Sequence, residues 1–256
     1  HKALQAGTSH YFGDGFARAF DITFTGTDNQ LHYPHQTSWG VSTRLIGGII
    51  MTHGDDNGLV LPPRIAPVQA VVIPIAQHKP GVLDAAGKLL ERLQQAGVRS
   101  RMDDSDKAPG WKFAEYEMRG VPLRVEIGPK DMEKEQCCIA RRDTGEKTFV
   151  PLAELESTVA KLLDDIHNNM FAMAKKNLED NSCTAETLEQ VKEITGRLGG
   201  GFVHTKWCGE LACELAMKEQ AGVTSRCMPL AQSGTTGKCP VCGKECTTDI
   251  IWGVAY

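Results

Sequence analysis

The sequence predicts a multidomain protein of mixed class, in which α/β and α+β domains follow one another. The chain has 256 residues, which is long enough for more than one hydrophobic core. Its middle part alternates apolar, strand-like runs with amphipathic helical patterns, which is typical of an α/β domain. Its last part carries cysteines in close-spaced pairs, which is typical of a small metal-stabilised module.

The composition restricts the classes of function. Lysine and arginine number 28 against 32 acidic residues, so the net charge is −4 and any contact with RNA must come from a local basic patch. No run of apolar residues is long enough to predict a membrane span, and no secretion leader is recognisable. Nine cysteines without a leader indicate a reducing compartment, so we expect a cytoplasmic protein. The first residue is His rather than Met, and we interpret the chain as part of a longer protein.

The first 67 residues are interpreted as strands and loops. Aromatic and β-branched residues alternate with polar ones from Ala17 to Thr25, which predicts a half-buried strand. Gly26–Asn29 is a predicted turn, and Leu31–Trp39 is predicted to return as the partner strand. The pattern therefore favours an antiparallel sheet.

An apolar, glycine-containing run from Leu45 to Met51 follows, and we expect it to be buried. Arg44 stands at its head. A guanidinium group in this position suits a polyanion such as a triphosphate, because it offers bidentate donors and keeps its charge. The alternative is an ordinary, half-exposed surface arginine.

The middle of the chain predicts an α/β domain of about 100 residues with a largely parallel sheet. The predicted strands are Val68–Ile75, Val98–Met102, Leu123–Ile127, Gln136–Arg142 and Lys147–Val150. The predicted helices are Val82–Ala96, capped by Gly97, and Trp111–Arg119. Cys137 and Cys138 lie in an apolar run and are predicted to be core residues.

A long helix and a second helix are predicted after the α/β domain. From Leu152 to about Asn181 an apolar stripe that includes Phe171 recurs at helical spacing, and Glu186–Arg197 has a similar pattern. The last fifty or so residues hold few apolar groups for a core of their own, and small modules of this kind usually need a metal or disulfides.

The cysteine spacing predicts a metal site. Cys208-x4-Cys213 and Cys239-x2-Cys242 form two close pairs, and four thiolates suit tetrahedral Zn²⁺. Four protein ligands make a closed, structural site. The alternatives are unrelated core cysteines or a redox-active CxxC pair, and Cys246 is a possible substitute for Cys242.

A second pattern suits single-stranded RNA. Aromatic and basic residues are interleaved with a carboxylate from Trp111-Lys112-Phe113 to Glu117, followed by Arg124 and Lys130. Aromatic faces stack on bases, while charged groups bind base edges. The alternative is an ordinary amphipathic helix with solvated charges.

Several motifs in order resemble the prolyl-tRNA synthetases, in the archaeal/eukaryotic-like type that carries a C-terminal zinc-binding domain. They are GTSH at Gly7–His10, SWGVSTR at Ser38–Arg44 and HGDDNGLVLPPRIAP at His53–Pro67. The resemblance continues from PGWKFAEYEMRG to Tyr256 and covers nearly the whole chain. It implies three domains: residues 1–67 as the end of a class II antiparallel-sheet catalytic domain with motif 3, residues 68–168 as an α/β anticodon-binding domain, and residues 169–256 as a small α+β zinc-binding domain.

The resemblance also implies roles for individual residues. Arg44 is the motif 3 arginine of catalysis. The ATP and Mg²⁺ ligands are expected to be Gln5, Thr8, Ser42 and Arg44, and His10 is expected to line the proline pocket. The anticodon readers are expected to be Phe113, Glu117, Arg124 and Lys130. The Zn²⁺ ligands are expected to be Cys208, Cys213, Cys239 and Cys242.

A member of this family is expected to activate L-proline with ATP, to charge tRNA(Pro), and to act as a homodimer. Motifs 1 and 2 of the class are not among these residues, so the 256 residues alone are expected to be inactive. The carboxyl group of Tyr256 is expected near the active site. The rival hypothesis is a non-catalytic RNA-binding protein built from an anticodon-like domain and a zinc module, although intact GTSH and STR motifs argue against it.

Overall fold

A computed structural model describes residues 2–197 and 200–256 of the chain. These residues form two compact units, one of residues 2–48 with 179–256 and one of residues 49–178. No helix in the described ranges is long and apolar enough to span a membrane. The three-domain division at residues 67/68 and 168/169 stays a prediction.

Residues 2–53 contain short elements. They are β1 (Gly7–Gly13), α1 (Gly15–Ala19), β2 (Phe24–Thr25), β3 (Leu31–His32), β4 (Gln36–Val41) and α2 (Arg44–His53). β1 pairs with β4 and β2 pairs with β3, both antiparallel. The predicted antiparallel pairing is therefore confirmed, although it is divided between two small sheets.

Two local predictions in this segment are wrong. The predicted strand Ala17–Thr25 is interrupted, because a short helix ends at Ala19 and Asp21 has a φ of 53°. Only its last two residues are strand. The run Leu45–Met51 is an amphipathic helix with no buried residue, rather than a buried element.

The α/β region contains five strands and four helices. They are β5 (Ala70–Pro74), α3 (Val82–Gln95), β6 (Ser100–Met102), α4 (Pro109–Met118), β7 (Leu123–Ile127), α5 (Pro129–Glu133), β8 (Gln136–Arg141), β9 (Lys147–Pro151) and α6 (Leu155–Asp180). The strand order is β6-β5-β7-β8-β9. β5 is parallel to β6 and β7, whereas β7–β8 and β8–β9 are antiparallel. The largely parallel sheet of the prediction is thus a mixed one, because its last strands are joined by connections too short for a parallel crossover, residues 128–135 with α5 and residues 142–146.

The two faces of this sheet differ. One face packs against α3 and α6 to form a continuous core that includes Leu93, Val125 and Ile166. On the other face α4 covers β5, where Tyr116 packs with Val71 and Ile73. Cys137 and Cys138 are buried as predicted, but Phe171 is 66% exposed and does not belong to the core stripe.

The last part of the chain folds around a second sheet. Its elements are β10 (Ser182–Thr184), α7 (Leu188–Thr195), β11 (Phe202–Trp207), α8 (Leu211–Ala221), β12 (Thr224–Cys227), β13 (Gly237–Lys238), β14 (Glu245–Cys246) and β15 (Thr248–Gly253). The order in the four-stranded sheet is β10-β11-β15-β12. β13 and β14 form a separate two-stranded hairpin.

The last fifty or so residues share a core with the segment before them, so the prediction that they hold few apolar groups for a core of their own is consistent with the structure. Val203, Met217 and Trp252 are completely or almost completely buried together with residues of α7. The apolar residues are spread over two helices and two strands, so no single stretch of sequence indicates the core. The tail after β15 pairs with the start of the chain, where Ala3 N–H donates to the Val254 carbonyl at 2.9 Å and Tyr256 N–H donates to the Ala3 carbonyl at 3.1 Å.

Candidate nucleic-acid interface and metal centre

The face of the mixed sheet beyond α4 carries charged and aromatic side chains. In the antiparallel register Arg124 lies opposite Ala140, which lies opposite Lys147. Two pairs further along, and so on the same face, Glu126 lies opposite Cys138, which lies opposite Phe149. Since paired residues project to the same side of a sheet, these side chains form one surface.

Arg124 organises this surface. Its guanidinium carbon lies 4.0 Å from the centroid of the Phe113 ring, and its Nε donates to Glu126 Oε1 at 2.8 Å. Lys147 Nζ lies 3.6 Å from the same carboxylate oxygen and 5.4 Å from the Phe113 centroid. The ring of Phe113 therefore has cationic groups beside it, whereas the ring of Phe149 is 62% exposed.

A cleft of about 230 Å³ lies next to this surface. The charged groups that line it are Glu117, Arg124, Arg141, Arg142 and Lys147. Four of these five groups are cations, which suits RNA phosphates, although acidic side chains next to the cleft pair with each of them. Within the described residues the Glu117 carboxylate has no hydrogen bond or ion pair, so it is available to accept from the N–H groups of a base edge.

All three arginines in the cleft are paired, and Arg124 binds Glu126 as described above. Arg141 binds Asp143, with Nη2 and Oδ2 2.8 Å apart. The Arg141 guanidinium and the Asn169 amide hold the pKa of the Asp143 carboxyl below its usual value, although burial opposes this effect. Arg142 makes a bidentate pair with Asp55.

The structure brings three of the four predicted anticodon readers together. Phe113, Glu117 and Arg124 border the surface and the cleft. Lys130 is exposed in the first turn of α5, after the carboxyl end of β7, and does not line the cleft. Whether any of the four binds RNA stays a prediction.

Lys112 has a structural position, so its interpretation as a residue that faces RNA is wrong. Its side chain is 2% exposed, and its Nζ donates to the Asp103 carbonyl at 2.9 Å and to Gln77 Oε1 at 3.2 Å. Successive helical residues point about 100° apart, so Lys112 points inward beside the half-buried Phe113.

Lys147 and Phe149 were not identified from the sequence. No alternation marks them, because the run Lys147–Val150 has two polar residues followed by two apolar ones, and of these four only Val150 is buried. What the sequence could not provide is the neighbouring strand that places them beside Arg124.

The residues expected to bind ATP and proline lie on or beside the β1–β4 ribbon. Thr8 and His10 occupy alternate positions of β1, opposite Gly40 and Ser38, so they share a face. Gln5 precedes β1. The His10 ring stacks on Phe12 with centroids 5.3 Å apart.

Ser42 and Arg44 follow directly after β4, at the start of α2. Ser42 Oγ accepts a hydrogen bond from the Arg44 backbone N–H at 3.3 Å, which helps to begin the helix. The Arg44 side chain is exposed and forms no ion pair with any residue in the described ranges. It is therefore free to bind an anion.

The four predicted cysteines come together. Cys208 follows β11, Cys213 lies in α8, and Cys239 and Cys242 lie in the turn between β13 and β14. Their sulfur atoms all lie within 4.8 Å of one another, and those of Cys208 and Cys242 are 3.7 Å apart. Tetrahedral Zn²⁺ with bonds of about 2.3 Å separates its sulfurs by about 3.8 Å, so the arrangement fits zinc. Cys246 lies outside the cluster found among the described residues.

The backbone of the turn supports thiolate ligands. Burial opposes ionisation of Cys239, but backbone N–H groups of Cys242, Val241 and Cys208 point to its sulfur and lower its pKa to about 7. Gly243 N–H donates to the Cys239 carbonyl at 2.9 Å, and Gly243 has a φ of 72°, which a glycine adopts without strain. Burial raises the pKa of Cys213, so this thiol needs the metal to ionise at neutral pH.

The fold and these sites define a class of protein that carries an anticodon-recognition domain. Residues 69–162 match the family described as the anticodon binding domain, and residues 188–256 match the family described as the C-terminal domain of prolyl-tRNA synthetase.

Relatives with the printed name proline–tRNA ligase cover the whole chain. Those of Clostridium novyi and Ruminiclostridium cellulolyticum are each 56% identical to it over 255 residues, and one of Clostridium botulinum is 54% identical. The alignment includes 100% of this chain and 53% of each relative. The chain belongs to the prolyl-tRNA synthetase family, and it spans about half the length of the curated relatives it matches.

Proposed function

We propose that the chain forms the anticodon-reading and C-terminal half of a proline–tRNA ligase. The whole protein would activate L-proline with ATP and Mg²⁺ to prolyl-adenylate, transfer the prolyl group to tRNA(Pro), and work as a homodimer in the cytoplasm. The observation that carries this proposal is the unpaired Glu117 carboxylate, which lines a cationic cleft beside Arg124 and Phe113.

The chemistry of the cleft suits the anticodon of tRNA(Pro). Proline anticodons share two guanines at their last two positions. A guanine presents N–H donors on its Watson–Crick edge, which a carboxylate such as Glu117 accepts, and O6 and N7 acceptors, which an arginine such as Arg124 can bind with two donors. The neighbouring cations would hold the phosphates.

A second set of residues, near the start of the chain, would bind ATP and proline rather than RNA. Arg44 would hold the triphosphate of ATP while the proline carboxylate attacks the α-phosphorus, so that position and charge provide most of the catalysis. Gln5, Thr8 and Ser42 would contribute to ATP and Mg²⁺ binding, and His10 would line the proline pocket. All five are exposed in the structure.

The proposed zinc would be structural. Cys208, Cys213, Cys239 and Cys242 would supply all four ligands, so that no coordination position remains for substrate. Zn²⁺ would thus fix the knuckle between β13 and β14 without a part in the reaction.

The proposal is tested by RNA binding to this chain. An anticodon stem–loop of tRNA(Pro) should bind more tightly than the same RNA with both guanines replaced, as measured by fluorescence anisotropy at fixed salt. Arg124→Ala should weaken binding of the matched RNA by about 1–3 kcal/mol, a range set for base contacts in DNA. Arg101→Ala removes an exposed arginine from β6 and serves as the control.

Equal affinity for both RNAs would contradict the proposed anticodon role. The rival hypothesis of a non-catalytic RNA-binding protein is tested separately, in the protein that includes the other half of the relatives' length. Absence of proline-dependent ATP–pyrophosphate exchange by that protein would favour the rival.

A further inference from the structure

An ion pair between the buried Arg142 and the exposed Asp55 joins the HGDDNG motif to the cleft, and the roles proposed so far do not use it. The Arg142 side chain is only 5% exposed. Its Nη1 and Nη2 donate to the two carboxylate oxygens of Asp55 at 2.7 and 2.6 Å, and its Nε donates to the Glu117 carbonyl at 2.8 Å. A planar guanidinium with all these donors engaged can adopt only one orientation.

Hydrogen bonds and close packing also fix the backbone around this ion pair. Leu59 N–H donates to the Met118 carbonyl at 2.9 Å, and Leu61 N–H donates to the Gly120 carbonyl at 3.2 Å. A Cβ atom on Gly58 would lie 2.5 Å from the Met118 carbonyl oxygen, and one on Gly120 would lie 2.7 Å from the Leu59 backbone. The segment after Asp55 therefore packs directly on the last turn of α4, which is the turn that carries Glu117.

We propose that Asp55 is a positioning residue for RNA recognition, which acts through Arg142 to keep the Glu117 carboxylate available to a base edge. This inference rests on the proposed anticodon function. Asp55 occupies the two terminal nitrogens of Arg142, and the remaining Nε fixes the backbone of Glu117.

The reason lies in the charges of the cleft. Without the Asp55 carboxylate, Arg142 would be a buried cation that needs another anionic partner. Glu117, whose carbonyl it already contacts, supplies the adjacent carboxylate in the cleft. A Glu117–Arg142 pair would remove the acceptor for guanine and leave the affinity for phosphates intact. The loss would therefore affect the choice of base and not RNA binding as such.

The Arg142 guanidinium also holds the pKa of the Asp55 carboxyl below its usual value. A lowered pKa means that the carboxylate stays ionised at neutral pH and that the pair is lost only in acid, as the pH falls through the pKa of the folded protein. Base discrimination near neutral pH should consequently not depend on the titration of Asp55.

The experiment compares Asp55→Asn with Asp56→Asn in the 256-residue chain. Both substitutions remove one negative charge from neighbouring exposed positions, but only Asp55 binds Arg142. Affinities are measured for an anticodon stem–loop with both guanines and for single substitutions of each guanine, and thermal midpoints are recorded in parallel. The wild type is expected to prefer the matched RNA by about ten- to a hundredfold, as one bidentate base contact provides.

Asp55→Asn should lose most of this preference at one of the two guanines and bind the mismatched RNA as well as before or better. Asp56→Asn should keep the preference. Arg142→Lys keeps a cation that can still pair with Asp55, so Glu117 should stay unpaired and the preference should be kept. Asp55→Ala, which also removes the carboxylate, serves as the second variant if Asp55→Asn does not fold.

Two results would overturn the inference. One is a full preference for the matched RNA in folded Asp55→Asn with a lowered thermal midpoint, because Asp55 would then be structural only. The other is an equal loss in Asp55→Asn and Asp56→Asn, because net charge would then be the cause. Absence of any preference in the wild type would overturn the proposed anticodon function itself, and this inference with it.

Discussion

The α/β region and the first segment of the chain bury their apolar residues to very different extents. All five residues of β5 are buried, and the core around it continues through β7, α3 and α6. In residues 2–48 Ala17 is the only buried residue, while Tyr11, Phe20 and Trp39 are 68%, 72% and 79% exposed. An apolar surface of this kind is where another polypeptide surface packs. We therefore infer that the proposed ATP and proline site would be completed by residues outside this chain.

Because of this difference, the two candidate sites depend to different extents on polypeptide outside the chain. The proposed RNA surface is built on a sheet with a complete core, so its residues are fixed by the chain itself. The residues expected to bind ATP and proline stand on a two-stranded ribbon, and isolated ribbons are marginally stable. Recognition of the anticodon should be measurable on this chain alone, whereas adenylation should not.

The largest effect is expected at the cysteine cluster, where a metal would hold the small hairpin of β13 and β14 in place. The hairpin of β13 and β14 has only two residues per strand, and Cys239 is the most deeply buried of the four cysteines. Structural zinc contributes an apparent binding free energy of about 10–16 kcal/mol in small zinc modules. We predict one Zn²⁺ per chain and its loss in Cys239→Ser, measured by elemental analysis.

Cys246→Ser is the matched control, because Cys246 lies outside the cluster. Hydrogen exchange should show lost protection around residues 237–246 and in the tail after metal removal, and unchanged protection in β5 and β7. Native protein without zinc, or Cys239→Ser with a full complement of zinc, would contradict the site. A Cys239–Cys242 disulfide in freshly purified, metal-free protein would favour the redox alternative.

The second prediction concerns Arg44 and addresses the incomplete site directly. In the protein that includes the other half of the relatives' length, Arg44→Ala should slow proline-dependent ATP–pyrophosphate exchange by about a hundredfold or more, since one preorganised charge contact is worth roughly 3 kcal/mol in the transition state. His10→Ala should mainly raise the KM for proline. The 256-residue chain should show no exchange.

Arg101→Ala again serves as the control for loss of an exposed arginine. An exchange rate close to that of the wild type in Arg44→Ala would show that this arginine does not bind the triphosphate. Exchange by the 256-residue chain would show that the exposed segment needs no further polypeptide, and the contrast between the two regions would then be wrong.

The smallest effect is expected at Phe149, which lies in the α/β region with the complete core. Its exposed ring lies beside Cys138 on the open sheet face, two residues along the strand from Lys147. An unstacked base could pack on it there. Stacking of a base on an aromatic side chain is worth about 1–3 kcal/mol. Phe149→Ala should weaken binding of the anticodon stem–loop by an amount in this range.

Phe171→Ala is the control, because Phe171 is equally exposed on α6 but does not lie on this face. A fluorescent base analogue at each anticodon position should identify the base that stacks, through quenching that Phe149→Ala removes. Equal affinities in wild type and Phe149→Ala would exclude the ring from the interface.

The sequence by itself determined the identity and bounds of most elements in the α/β region. The apolar run around β5, the stripe of α3 with its glycine stop, and the alternation in β7 are local patterns, and residues two or four positions apart suffice to define them. The close spacing within each cysteine pair is local in the same sense. In residues 17–25 the alternation wrongly predicted one continuous strand, because a helix end and a residue with positive φ interrupt it.

The tertiary structure alone decided which of these elements meet. Phe149 and Lys147 join Arg124 because β8 lies between β7 and β9, and Asp55 reaches Arg142 across 87 positions of sequence. The last part of the chain has a core because two helices and two strands each contribute a few buried residues. The physical reason is that periodicity depends on near neighbours along the chain, whereas strand order and long-range ion pairs depend on how complete elements pack.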